Sequence, residues 1–498
     1  MAAHHSPLWG HPGLKCPGLL LSQWVADALD LCPTASLARP QRRGDRLNFI
    51  LGIGMDDFDL VVLGAGAAGM MGALAAAQGG RRVLLVEPFM DQANNLAISG
   101  GLFPAAGSAL QSLAAVNDSP AQWLADLRSF AGDSVNERIA APVAQALPSV
   151  VDFLIGRLHA PIGFLPDVLS TGHSQCRFHS TLPAGGAALH HWFRQQIRAH
   201  PLITLNPDAA TPQRGPQGFV LQVENQRMRA PHVLLAGGGF GANPAWVAQH
   251  IPAMHGALYN GAAHSDGSAI ALGLDWGGQL WGMDGFQGQG HTNPGGRTRL
   301  GMGIPALGGI LVNRQGQRFV REDIGPSALA PWVMAQPQGL ALEVFDAHIE
   351  AGLAQHAAYQ SALQAGQVLR ADDVQGLAAL AGVDAQGLQA TLHAVQAMAQ
   401  GRASDPLGRA DFARVLNGPW LASWVTGALS HTQGGLVTDG DGRVLDAQGQ
   451  WITGVWAAGG CAAGLSGRGA EGYLPGNGLA QSCGLAWRMA QALGPAAP

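Results

Sequence analysis

The chain has 498 residues, 47 % of them hydrophobic and 12 % charged, with a formal net charge of −5; it can bury a large core and lacks the basic field that holds a phosphate backbone, so nucleic acid is not an expected partner. Glycine, at 71 residues, is about twice its usual share of roughly 7 % but has no G-X-Y period, which excludes collagen. The only lysine is Lys15, so pyridoxal Schiff bases, Ser-Lys dyads and lysine-bearing phosphate loops are excluded downstream of it.

In residues 1–54, Pro, His and Arg punctuate short apolar runs and no helix or strand period persists, so the fold is expected to start at Met55, after an N-terminal extension. That extension reads as upstream sequence. The alternative is a twin-arginine export signal on Arg42-Arg43, against which stand the short apolar segment at 47–55 and the lack of a small-residue cleavage site. The five cysteines, Cys16, Cys32, Cys176, Cys461 and Cys483, are odd in number and scattered, as expected of reduced thiols in a cytoplasmic protein. No stretch reaches the roughly 18 unbroken apolar residues of a membrane span.

A strand is expected over 59–63, followed by Gly64-Ala65-Gly66-Ala67-Ala68-Gly69 opening a helix to about Gln78, and a second strand over 82–86 ending at Glu87-Pro88. This is a complete βαβ unit. Gly64 permits the tight turn, Gly66 lets backbone approach a pyrophosphate, and Gly69 allows close helix–strand packing, while Glu87 stands where a carboxylate accepts hydrogen bonds from ribose hydroxyls. The motif alone does not separate NAD from FAD. Ser99-Gly100-Gly101, shortly after the second strand, could wrap the pyrophosphate, and further returns to the sheet are expected at the buried strand running into Ala236-Gly237-Gly238 and at the strand ending in Gly459-Gly460, with a last helix beginning after Gly478-Leu479. An extended cofactor spanning several returns is the simplest explanation.

The first glycine motif, Gly237-Gly238-Gly239-Phe240-Gly241-Ala242-Asn243, Ser265-Asp266-Gly267, the Gly401…Asp405…Gly408-Arg409 spacing, His431-Thr432-Gln433-Gly434-Gly435 and the glycine-rich terminal helix resemble the FAD-dependent fumarate reductase/succinate dehydrogenase flavoprotein superfamily. Within it, Gly472-Tyr473-Leu474-Pro475-Gly476-Asn477-Gly478 most resembles the 3-ketosteroid dehydrogenase and tricarballylate dehydrogenase branches. The resemblance implies an α/β fold with an α+β cap: a discontinuous Rossmann-like FAD-binding domain over 55–269 and 426–498, and an inserted smaller capping domain over 270–425. Covalent attachment in that superfamily uses a His just before the small-residue turn, where this chain has Ala97-Ile98, so the FAD is expected to be noncovalent. The cofactor contacts implied are Gly64, Ala65, Gly66, Ala68, Gly69, Glu87, Pro88, Ser99, Gly100, Gly101, Ala236, Gly237, Gly238, Asp266, Gly459, Gly460, Gly478 and Leu479.

Desaturation or reduction beside a carbonyl needs hydride transfer at flavin N5, a proton-transfer group and donors on the carbonyl oxygen. The resemblance places Tyr473, His431 and His291 in catalytic positions. Tyr473 stands where fumarate reductases carry a carboxylate-clamping Arg, and Arg468 is the nearby candidate clamp. A proton-donating Arg is also replaced, since Arg318-Phe319-Val320 leads to Pro326-Ser327, and proline cannot donate a proton. The His173-Ser174-Gln175-Cys176-Arg177-Phe178-His179 segment invites a zinc reading, but an anion-binding or cap-contact strand is favoured over it, with Arg177 and His179 as two cations on one face and Arg177 a substrate ligand. No metal is expected. The expected function is an FAD-dependent oxidoreductase making or reducing a carbon–carbon double bond beside a carbonyl or carboxylate, on a 3-oxosteroid-like or small organic acid substrate, with an unidentified electron donor or acceptor. The alternative is a non-catalytic or partner-dependent flavin-binding redox subunit.

Overall fold

Four aliphatic segments form the centre of the molecule, and each is apolar on both faces because helices cover a parallel sheet from both sides. Leu60–Leu63, Val83–Val86, His232–Leu235 and Trp451–Ala457 lie in one six-stranded sheet in the order 443–445, 451–457, 232–235, 60–63, 83–86, 203–206. All neighbours are parallel except the edge pair at Arg443–Leu445. The register sets Leu63 beside Leu235 and Val86, and Leu235 beside Ala457, so four strand ends emerge together. The computed structural model describes residues 57–496 apart from 183–184, 224–225, 296–297, 299 and 301–302; the 1–54 extension, Met55, Arg42-Arg43, Cys16 and Cys32 lie outside the described residues. The strands expected from sequence are present with ends moved by a residue or so. The edge strand Ile203–Asn206 and the antiparallel meander Gln213–Gly215, Gly218–Val223 and Gln226–Ala230 carried no sequence signal strong enough to expect.

The helix Ala67–Gln78 is buried at every residue but Gln78, so it lacks the polar stripe by which a surface helix is recognised. Its glycines set distances. A Cβ on Gly69 would lie 1.8 Å from the Gly64 carbonyl oxygen, and one on Gly72 would lie 2.7 Å from Leu234 Cδ2 and 3.1 Å from Met489 Cε. Those absences seat the helix on the sheet and against the C-terminal helix Asn477–Leu493. The helix Glu137–Gly156 is long and apolar enough to cross a membrane by length and composition. Its Ile139, Val143, Leu147, Val150 and Leu154 are nonetheless fully buried, as part of the same apolar cluster as Leu485 and Met489.

A second sheet is organised around the 13-residue strand Trp420–Thr432. Its first half pairs antiparallel with Leu340–Asp346 and Leu369–Ala371, and its second half pairs antiparallel with Phe286–Thr292 and parallel with Leu258–Tyr259. The expected domain boundary at 425/426 therefore falls inside one continuous strand. A separate apolar cluster, including Ile304, Val344, Phe345, Leu377, Leu388 and Leu421, fills this cap. Beside it, Arg318 binds both Glu322 and Asp405 at 2.8 and 2.9 Å, and Arg409 reaches Glu322 at 3.0 Å and the carbonyls of Gly309 and Pro305. The Asp405…Arg409 spacing thus builds the cap's buried ion network.

The Arg177 segment corrects the sequence reading. Arg177 is fully buried, bidentate on Asp118 at 3.0 and 3.1 Å and paired with Asp126 at 2.7 Å. Its charge is consumed inside the fold and it lines no ligand site. His179 is not a second cation, because burial pushes its pKa down to about 4; its Nε2 meets Ser108 Oγ at 2.8 Å. His173 is likewise held down at about 4 by burial. Arg177→Leu, which strands two carboxylates, should cost about 3–5 kcal/mol of stability, measured by denaturant unfolding of the purified protein; a loss below 1 kcal/mol would contradict a structural role.

Candidate active site

Where the four parallel strands end, the chain turns sharply and leaves a cavity of about 500 Å³, the position at which open α/β sheets bind ligands. Gly64 makes the first turn at φ +100°, and a Cβ there would lie 2.6 Å from the Ala236 carbonyl oxygen, whereas Gly66 is open, with that oxygen 4.0 Å away. Gly64 is needed for the turn and Gly66 for access. No side chain caps the helix that follows, nor the helix Asn477–Leu493. Both helices begin at this cavity, with Gly66, Ala67, Gly478 and Leu479 in its wall, so their positive ends point into it.

The carboxylate at the end of the second strand ties this turn down. Glu87 accepts from the Ala65 amide at 2.7 Å and the Phe89 amide at 2.9 Å while lining the cavity. Asn94 donates to the Ala65 carbonyl at 3.0 Å and caps Ala97. Ser99 Oγ donates to Leu96 and accepts from Gly101, folding the 99–101 segment onto the wall.

Of the residues expected to hold the cofactor, Gly64, Ala65, Gly66, Ala68, Glu87, Ser99, Gly100, Gly101, Ala236, Gly237, Gly238, Gly459, Gly460, Gly478 and Leu479 line this cavity. Three do not. Gly69 acts through packing, Pro88 is exposed on the strand exit, and the Asp266 carboxylate accepts from the Ser268 amide at 2.9 Å, leaving Ser265 to face the cavity. Sequence reasoning missed Asn94, Asn95, Gln433 and Gln481, which also line it, and the pair formed by Phe89 and His264, stacked at 3.4 Å between centroids and 1° between planes. Asn94 had a legible signal, an Asn preceding a helical turn. The Phe89–His264 pair had none, because it joins loops remote in sequence.

Tyr473 and His431 meet in the wall of the cavity, with ring centroids 5.0 Å apart and planes at 74°. The Gly478 amide donates to Tyr473 Oη at 3.3 Å, and a Cβ on Gly478 would lie 3.2 Å from that hydroxyl and 3.9 Å from His431 Nε2. Burial pushes the Tyr473 phenol up to about 12, with the Gly478 amide opposing weakly, so the hydroxyl keeps its proton at neutral pH and is free to donate it. The register opposite Gln287 places His431 at the cavity wall.

The other expected catalytic and substrate groups are elsewhere. His291 is fully buried in the cap, with Nδ1 on Glu343 at 2.8 Å, and does not reach the cavity. Arg468 is 63 % exposed beside Asp284, 3.5 Å away, and Arg177 is consumed by its two aspartates. Pro326 starts the helix Pro326–Met334, and Ser327 Oγ accepts from the Gly288 amide at 2.9 Å; neither lines the cavity. Among the described lining residues there is no arginine or lysine, and the carboxylates are Glu87 and Asp167.

Residues 59–479 match the FAD binding domain family. The chain is 26 % identical over 424 residues to a fumarate reductase (cytochrome) of Shewanella frigidimarina, covering 83 % of this chain and 73 % of that one. It is 25 % identical over 429 residues to a urocanate reductase of Eggerthella lenta, covering 81 % and 69 %. In fold it resembles a 3-ketosteroid delta1-dehydrogenase from Sterolibacterium denitrificans, with a TM-score of 0.73 at 20 % identity over 88 % of this chain and 99 % of the other.

The tyrosines give a test of this geometry. All three, Tyr259, Tyr359 and Tyr473, are shifted upward by burial, Tyr359 also by Glu350. The native protein should show no tyrosinate absorbance on titration through the ordinary value of about 10, where the guanidinium-unfolded chain ionises all three. Because the folded state retains protons that the unfolded chain releases, stability should fall as pH rises beyond that value. A native tyrosine titrating near 10 would contradict the burial of these rings.

Proposed function

Since the chain belongs to the FAD-binding fumarate reductase/succinate dehydrogenase flavoproteins and is an FAD-dependent oxidoreductase acting on CH–CH groups, we propose that it forms or reduces a carbon–carbon double bond conjugated to a neutral carbonyl. The carrying observation is the pair Tyr473 and His431 in the wall of a cavity with no arginine or lysine among its described lining residues. A buried carboxylate without a cationic partner is strongly disfavoured, whereas a ketone oxygen is satisfied by neutral donors. Leu102, Val168 and Pro475 supply apolar wall to the same cavity.

The residues fit the cofactor. The uncapped Ala67–Gln78 helix and the Gly64–Gly66 turn would take the pyrophosphate, Glu87 the ribose hydroxyls with its remaining lone pairs, and the start of Asn477–Leu493 the electron-rich edge of the ring system. Ala97-Ile98 offers no histidine for a covalent link, so the cofactor is held noncovalently. When bound, FAD supplies two-electron chemistry. The chain's part is to orient the substrate: the Tyr473 hydroxyl, its oxygen already taken by the Gly478 amide, and the His431 ring are positioned to donate to the substrate oxygen, where charge builds up.

A small organic acid is the second reading, favoured by the similarity to a fumarate reductase and a urocanate reductase; it requires a cation such as Arg468 to be brought to the cavity. The division into a flavin-binding part at 55–269 and 426–498 and a cap at 270–425 is supported by the separate apolar cluster around Ile304, Val344 and Leu388, although Phe286 and Ala330 pack into the main core and Trp420–Thr432 runs through both parts. A reducing, cytoplasmic location rests on Cys176, Cys461 and Cys483 being free.

Two measurements test this reading. Glu87→Arg, which removes the acceptor for Ala65 and Phe89 and places a cation at the first glycine turn, should strip the flavin, while acid precipitation of the unaltered protein should release all yellow colour. After anaerobic photoreduction, neutral enones should reoxidise the flavin faster than unsaturated acids, and Tyr473→Phe should slow this by roughly 10²-fold or more at unchanged flavin content. Preference for the acids would reject the neutral-carbonyl reading, and full activity of Tyr473→Phe would remove the tyrosine's role.

A further inference from the structure

We propose that Gln433 is a positioning residue that fixes the tautomer of His431 and so makes it a hydrogen-bond donor toward the cavity. Gln433 Nε2 lies 2.9 Å from His431 Nδ1, and a side-chain amide nitrogen only donates. The Thr432 carbonyl oxygen, which would compete as an acceptor at Nδ1, is 3.5 Å away, a much weaker contact than the 2.9 Å to Gln433. Nδ1 therefore accepts, and a neutral imidazole that accepts at Nδ1 carries its hydrogen on Nε2. Nε2 is the ring nitrogen on the Gly478 side: a Cβ on Gly478 would lie 3.9 Å from it and 3.2 Å from the Tyr473 hydroxyl.

The glutamine is held so that it can do this. It is 6 % exposed. Its backbone N–H donates to the Gly285 carbonyl at 2.8 Å, and its backbone carbonyl accepts from the Gly464 N–H at 2.7 Å. Its stem is packed between two glycines, since Cβ atoms on Gly285 and Gly467 would lie 3.0 and 3.3 Å from Gln433 Cβ and Cγ. A Cβ on Gly464 would lie 2.6 Å from Oε1, so the missing side chain at 464 makes the space that the amide oxygen needs when the nitrogen faces His431. Three glycines thus set one amide, and the amide sets the ring. With Tyr473 Oη accepting from Gly478, both groups turn a hydrogen toward the same space. The pair becomes two donors for one oxygen rather than a donor and a base, which reserves the site for an acceptor such as a ketone.

The inference rests on the proposed reading only in assigning that oxygen to substrate; the tautomer is testable without turnover. Full-length, flavin-loaded protein labelled with ¹⁵N-histidine is examined by NMR, the His431 signals being identified by their loss in His431→Asn. The proton is expected on Nε2 in the unaltered protein and should move to Nδ1 in Gln433→Glu, whose carboxylate accepts from that nitrogen. Should the glutamate variant fail to fold, Gln433→Met keeps the stem and removes the donor, and its Nδ1 resonance should move to that of an unbonded acceptor nitrogen. A proton on Nδ1 in the unaltered protein, or His431 signals that ignore the variant that folds, would overturn the proposal. An enone panel that fails while the tautomer behaves as described would reject the substrate reading alone.

Discussion

Two helices begin at one cavity with no side chain capping either of them, and the site is arranged around that shared electrostatic demand. Uncapped amides need an acceptor, and the partial positive charge of two helix ends at one place is satisfied best by anionic or electron-rich groups. Helix Ala67–Gln78 arrives from the first strand and helix Asn477–Leu493 from the far end of the chain, and they pack directly on each other because Gly72 has no side chain to stand between them. The same contact that stabilises the fold thereby brings the two ends to a common ligand. Glu87 strengthens the arrangement from below by accepting from the Ala65 amide within the turn.

Charge elsewhere is managed by burial in closed sets. Arg177 with Asp118 and Asp126, and Arg318 and Arg409 with Glu322 and Asp405, are groups in which each cation meets carboxylates within 3.0 Å. Breaking such a set leaves an uncompensated charge in a low dielectric, so each member is retained for the fold. The result for function is that these arginines are spent, and the cavity is left with neutral donors. A chain of Arg-rich basic content can thus present a site whose recognition chemistry depends on a phenol, an imidazole and backbone amides.

The long strand Trp420–Thr432 links the two halves mechanically. Its first residues belong to the cap's apolar cluster, with Leu421 and Ala422 fully buried there, and its last residues carry His431 to the cavity. A shift of the cap along this strand would be felt at the histidine, which is one reason a second restraint from Gln433 is useful: its side chain packs against Gly285, Gly464 and Gly467, and its backbone is bonded to Gly285 and Gly464.

The sequence by itself determined the nucleotide-binding half. The first βαβ unit, the returning strands and the terminal helix were legible because a buried parallel strand is a continuous apolar run and a phosphate turn needs glycine at fixed spacing; fifteen of the eighteen expected cofactor contacts accordingly line the cavity. Tyr473 and His431 were legible as members of motifs. What only the tertiary structure decided was which polar side chains face the cavity. Arg177, His291 and Arg468 looked equivalent to site residues in one dimension, yet one is closed off by Asp118 and Asp126, one by Glu343, and one stands in solvent beside Asp284. Partners that cancel a charge or occupy a ring nitrogen come from segments tens of residues away, and local pattern carries no record of them. For the same reason the direction of the His431 hydrogen, set by an amide wedged among three glycines, could be read only once those loops were folded together.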